Sequence, residues 1–98
     1  MANTQSVTKE KVEVTYPKRY AVVLYNDNAT PMDFVIQLLV EIFNKTLEEA
    51  HDITMQVHEK GKGAAGVYSF EVAEQKKHEA TLITHHHGHP LKIDLEPA

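Results

Sequence analysis

Asn26, Asp27 and Asn28 set an amide, a carboxylate and a second amide in the middle of an otherwise apolar stretch, YAVVLYNDNATPMDFVIQLL. Amide and carboxylate oxygens accept hydrogen bonds, and an ammonium ion brings three donors and no acceptor. Asn26 and Asp27 are therefore suited to holding a positively charged group. His58, further along the chain, supplies a third acceptor whenever its ring is neutral. The same residue types also build ordinary turns, and a histidine at a helix end is commonly satisfied by carbonyls. Both readings stay open on residue type alone.

Other chemistries fit less well. His85-His86-His87-Gly88-His89 invites a metal, because histidine-rich tracts bind transition metals. The only nearby carboxylate, Glu79, lies outside the tract, so no resident metal or other cofactor is expected. Gly61-Lys62-Gly63 lacks the strand-loop-helix setting of a phosphate loop. Asp27 and His58 form a conceivable acid–base pair, but no activated Ser, Cys or Lys accompanies them, and no catalytic residue is expected. Fourteen acidic against ten basic side chains leave a net charge of -4, which argues against non-specific nucleic-acid binding. Cysteine is absent, which removes disulfides and thiolate chemistry and fits a reducing compartment. No apolar run approaches the roughly 20 residues of a membrane span, and the N-terminus has no apolar signal-peptide core. A cytoplasmic protein without membrane contact is expected.

The elements that position these residues are legible from periodicity and caps. Residues 1–17 are polar and read as a flexible arm, leaving 18–98 as one small domain. Tyr20 to Tyr25 is short, β-branched and aromatic, a strand. Thr30-Pro31-Met32-Asp33 announces a helix, with Thr30 as cap and Asp33 closing a capping-box-like pair. Its apolar face is Val35, Ile36, Leu39, Val40 and Phe43. Thr46 caps a second helix with Glu48 and Glu49 in its first turn, an apolar face of Leu47, Ala50, Ile53, Thr54, Val57 and His58, and a glycine stop in Glu59-Lys60-Gly61-Lys62-Gly63. Gly66 to Val72 alternates like a strand. Ala73 to about His85 returns to helix with Ala80, Leu82 and Ile83 inward, and Leu91 to Leu95 alternates again. The order β-α-α-β-α-β predicts an α+β domain with helices packed on a small sheet.

The run Val23 to Val35 resembles the signature of the ClpS family, the adaptors of the bacterial N-end rule. So do Val57-His58, Gly61-Lys62, Gly66-Val67-Tyr68, Glu71 to Glu74 and His89-Pro90-Leu91. The likeness covers about residues 20 to 96. It implies a three-stranded antiparallel sheet with three helices. It also implies a protein that binds the free N-terminal residue of substrate proteins, Leu, Phe, Tyr or Trp, and delivers them to a Clp AAA+ unfoldase (ClpA- or ClpC-like) and ClpP. Carried over by position, Asn26, Asp27 and His58 bind the α-amino group. Asn28, Thr30, Met32, Val35, Thr54, Val57 and Leu91 form the side-chain pocket, with Met32 at its mouth. Glu71 and Lys76 meet the unfoldase N-domain, and the adaptor is expected to be monomeric. Two positions depart from the pattern. Asn28 stands where many members have a second Asp, and Thr54 where many have Met.

Physical selection agrees with such a role. An apolar pocket rewards a large side chain by about 25 cal/mol per Å² buried. A residue branched at Cβ would strike a wall formed by Met32, and an acetylated N-terminus would bring one donor and no charge. Two alternatives remain: a binding module of the same fold with another partner, such as a ribosomal stalk-like domain, and a metal-binding protein using the histidine tract.

Overall fold

A computed structural model describes residues 17–98; the expected arm, residues 1–17, lies outside the described residues apart from Pro17. Six elements follow in order: β1 (Arg19–Tyr25), α1 (Met32–Glu41), α2 (Leu47–Lys60), β2 (Lys62–Ser69), α3 (Phe70–His86) and β3 (Lys92–Pro97). The sheet order is β2-β1-β3, with both outer strands antiparallel to β1. The α+β order and the three-stranded antiparallel sheet match the expectation.

Strand parity divides the sheet into two faces. Val22 and Leu24 are fully buried and share one core with Val35, Leu38, Leu39 and Phe43, with Ala50 and Val57 of α2, and with Ala73 and Ala80 of α3. The other parity places Ala21, Val23 and Tyr25 on the opposite face. There the Tyr25 phenol donates to Glu96 at 2.5 Å, and the Lys62 ammonium bonds the same carboxylate at 3.0 Å. The Lys92 ammonium stands 5.0 Å from the Tyr25 ring centroid. Glu96 is held below the usual carboxylate range by the Tyr25 and Lys62 hydrogen bonds, and it raises the Tyr25 phenol in return.

Local rules explain the helix ends, with one exception. Thr46 and Glu49 make a reciprocal capping box, the Glu49 N–H donating to the Thr46 hydroxyl at 3.1 Å and the Thr46 N–H to the Glu49 carboxylate at 2.9 Å. Gly61 closes α2 at φ 91°, a left-handed conformation that glycine adopts freely. The exception is α1. Pro31 occupies its cap position without a side-chain bond, and the Asp33 carboxylate accepts from Phe34 instead of from Thr30. Thr30 bonds the Asp27 carboxylate instead.

Four further expectations are corrected. β2 begins at Lys62, not Gly66, because Tyr25, Leu24 and Val23 of the central strand pair with Lys62, Gly63 and Ala64. Phe70 to Val72 are helical, since the Ser69 hydroxyl caps α3 by accepting from the Val72 N–H at 3.4 Å. On α1 the buried face includes Leu38, while Ile36 and Val40 are half-buried. Leu47 and Leu82 are exposed, one at the first turn of α2 and one on the outer side of α3.

Candidate functional site

Two hydrogen bonds bring the end of β1 to the end of α2. The Asn26 N–H donates to the Gly61 carbonyl at 2.9 Å, and the Gly61 N–H donates to the Val57 carbonyl at 2.9 Å. The left-handed glycine thus stops the helix and anchors the strand at once. His58, in the last turn of α2, is thereby placed on the same side as Asn26.

Asp27 shapes the next turn. One carboxylate oxygen accepts from the Ala29 N–H at 2.8 Å and the Thr30 N–H at 2.7 Å, and the other accepts from the Thr30 hydroxyl at 2.8 Å. Burial alone would raise the Asp27 carboxyl, but the Thr30 and Ala29 N–H groups and the Thr30 hydroxyl outweigh it, helped by nearby His89. The net effect holds the carboxyl below the usual range. Asp27 is therefore an anion at neutral pH, with one oxygen only partly used. Asn28, at the outside of this turn, is exposed and does not border the site.

From the turn, α1 brings Met32 and, one turn in, Val35. Thr54, Val57 and His58 of α2 lie at i, i+3 and i+4 and so share a helix face. Leu91 joins them from the segment before β3. With Tyr25, Asn26, Asp27 and Thr30 these side chains line a small concavity that opens to solvent. Its polarity is graded. Val35, Thr54, Val57 and Leu91 are buried, Asp27 and Thr30 half-buried, and Asn26, Met32 and His58 exposed. A floor that is apolar except for the Thr54 hydroxyl lies under a rim of acceptors and one methionine. Such a shape suits a ligand with a cationic head and a single large apolar side chain.

Tyr25 is the one lining residue that the sequence reading left out. Its position directly before Asn26 is the available signal, but its alternating pattern marks it only as a strand residue.

The rings of His86, His87 and His89 pack on one another and on Phe34. His87 Nδ1–H donates to the Ile83 carbonyl at 2.9 Å, and its ring lies parallel to that of His89 with centroids 6.2 Å apart. His89 packs edge-on against Phe34 at 4.5 Å. Among the described residues no three His, Cys, Asp or Glu side chains are grouped closely enough to hold a metal ion.

Glu71 and Lys76 lie on α3. Glu71 is exposed near Tyr20, at the far end of β1 from Asn26. Lys76 is half-buried, and its ammonium donates to the Ile42 carbonyl at the end of α1, 2.8 Å away. No helix among the described residues is long and apolar enough to cross a membrane.

Comparison with known proteins gives concordant results. A family model described as ATP-dependent Clp protease adaptor protein ClpS matches residues 15–94. The ATP-dependent Clp protease adapter protein ClpS of Deinococcus radiodurans is 44% identical over 96 residues, covering 98% of this chain and 85% of that relative. Its counterpart from Helicobacter hepaticus is 41% identical over 96 residues, covering 98% and 97%. Among solved structures, Agrobacterium tumefaciens ClpS2 bound to L-phenylalaninamide superposes with a TM-score of 0.81 at 34% identity. It covers 85% of this chain and all of its own.

Proposed function

The chain belongs to the ClpS family, and on that premise we propose that its graded concavity is where it takes hold of a substrate's first residue. It is an ATP-dependent Clp protease adaptor that binds the free N-terminal Leu, Phe, Tyr or Trp of substrate proteins for degradation. One observation carries the assignment of the site: acceptors stand at an exposed rim above a buried apolar floor. L-phenylalaninamide, the ligand of the related structure, has an α-amino group and a benzyl side chain, the two features that rim and floor suit.

In this reading Asn26, His58 and the partly free oxygen of Asp27 accept from the α-ammonium. Met32, Val35, Thr54, Val57 and Leu91 surround the side chain, and Thr30 acts through Asp27 by holding its carboxylate. The role is non-catalytic, a capture and hand-over in the cytoplasm. The hand-over partner is a Clp AAA+ unfoldase N-domain, met by a monomeric adaptor. Exposed Glu71 supports a contact surface at the opposite end of β1 from the pocket, which leaves the bound substrate clear of it. Lys76 is less available, because its ammonium already serves the end of α1.

The test is fluorescence anisotropy with labelled peptides beginning with Phe or Leu, each beside its N-acetyl twin. The free peptides are expected to bind and the acetylated ones not. His58→Ala, at an exposed position, should weaken the free peptides several-fold without changing the circular dichroism spectrum. Equal affinity of free and acetylated peptides would defeat the assignment.

A further inference from the structure

Thr54 is 2% exposed, lies in the middle of α2 and lines the concavity. Its hydroxyl has no hydrogen-bond partner among the described residues. A threonine inside a helix ordinarily returns its hydroxyl to the carbonyl four residues back, here Ala50. Thr54 does not. A buried hydroxyl left unmatched carries the full cost of its desolvation, so a site that retains one gains from any ligand that supplies a partner. Thr84 is the other orphaned buried hydroxyl among the described residues, but it sits on α3 and does not border the concavity. Among the described residues, only at Thr54 do an unmatched donor and a binding space coincide.

Position along the helix indicates which ligand group would meet it. Thr54 and His58 are four residues apart on one face of α2, about 6 Å along the axis. A ligand whose ammonium is held at the His58 end and whose side chain runs down toward the buried floor therefore brings its far end to the level of Thr54. Val35, Val57 and Leu91, the other buried walls, offer that end only carbon. Phenylalanine presents carbon there as well and leaves Thr54 unmatched. The tyrosine phenol presents an oxygen that donates and accepts, as the threonine hydroxyl does.

Resting on the reading of this concavity as the N-terminal residue site, we propose that Thr54 is a specificity-determining residue that pairs with the phenol of an N-terminal tyrosine. The chain is then tuned toward substrates beginning with Tyr over the otherwise equivalent Phe. Thr54→Val keeps the shape and removes the hydroxyl, and Thr54→Ser keeps the hydroxyl.

The experiment measures dissociation constants of Tyr-first and Phe-first peptides, identical thereafter, for the parent, Thr54→Val and Thr54→Ser, with N-acetyl-Tyr as control. The ratio of Phe to Tyr dissociation constants is expected to fall about tenfold in Thr54→Val, as for loss of one partner to a buried polar group. Thr54→Ser should keep most of the parent ratio, and the ratio of the two constants, rather than either alone, is what reads the pairing. If both free peptides bind, the acetylated one does not, and the ratio is unchanged in Thr54→Val, the Thr54 pairing is overturned while the amine site stands. If acetylated and free Tyr peptides bind alike, the amine site falls and the Thr54 inference falls with it.

Discussion

The Thr30 hydroxyl donates to the Asp27 carboxylate at 2.8 Å, so the residue placed to cap α1 closes the turn before it instead. With the Ala29 and Thr30 N–H groups, that bond makes Asp27 both the scaffold of the turn and the charge beside the concavity. Its substitutions should separate the two roles.

Asp27→Asn retains an oxygen for the two backbone donors but replaces the oxygen that faces Thr30 with an NH₂ group. The turn is expected to persist, while affinity for a Phe-first peptide falls roughly ten- to hundredfold, since a hydrogen bond to a charged group is worth about 1.5–3 kcal/mol. Asp27→Ala should also lose the turn and show it in amide exchange of Ala29 and Thr30. Unchanged peptide affinity in Asp27→Asn would remove Asp27 from the amine site.

Acid should destabilise the turn in a definite direction. Folded Asp27 has its carboxyl held below the unfolded value, which for aspartate is about 3.9. Its contribution is fully present above that unfolded value and is lost as pH falls through the lower folded one, because the unfolded chain takes up the proton first. Urea midpoints of the parent should therefore drop more steeply than those of Asp27→Asn as pH falls below the unfolded aspartate value of about 3.9. Asp94 and Glu96, also held low, are common to both proteins and cancel. Parallel curves would show that the three hydrogen bonds do not matter to stability.

Met32 opens α1 at the rim and is 39% exposed. Met32→Ala should admit branched first residues, raising Ile-first affinity relative to Phe-first by at least about threefold, and at most by the roughly tenfold lower end of what one methylene-sized contact is worth. Flexibility of the thioether works against a larger gain. The ratio of the two dissociation constants decides it, and a constant ratio would assign the exclusion of branched residues to another wall.

Gly61 couples stability to the site. At φ 91° an alanine is strained by about 1–2 kcal/mol, although its Cβ would meet nothing within 4 Å. Gly61→Ala should lower the melting temperature and, because the Gly61 carbonyl holds the Asn26 N–H, also weaken peptide binding. Gly61→Asn, which tolerates the left-handed region better, should recover part of both. Loss of stability with binding intact would break the link between the helix stop and the amine site.

Local chemistry made much of this legible from residue order. The Thr46 cap, the glycine stop of α2, the order of strands and helices and the apolar face of Ala50, Thr54 and Val57 all rest on interactions within a few residues of one another. So does the choice of Asn26, Asp27 and His58, whose acceptor chemistry is intrinsic to their side chains. What lay beyond reach involves a partner distant in the chain or a choice between local partners. Lys62 to Ala64 look like a loop until β1 pairs with them, because strand formation depends on the neighbouring strand more than on the residue. Thr30 could serve either its helix or Asp27, and only the fold of the turn selected the carboxylate. The bond from the Lys76 ammonium to the Ile42 carbonyl joins residues 34 positions apart, and residue order gives no sign of it. Thr54 is one more face residue until the surrounding core buries its hydroxyl and supplies no partner, since burial and hydrogen-bond satisfaction are properties of packed neighbours rather than of sequence position.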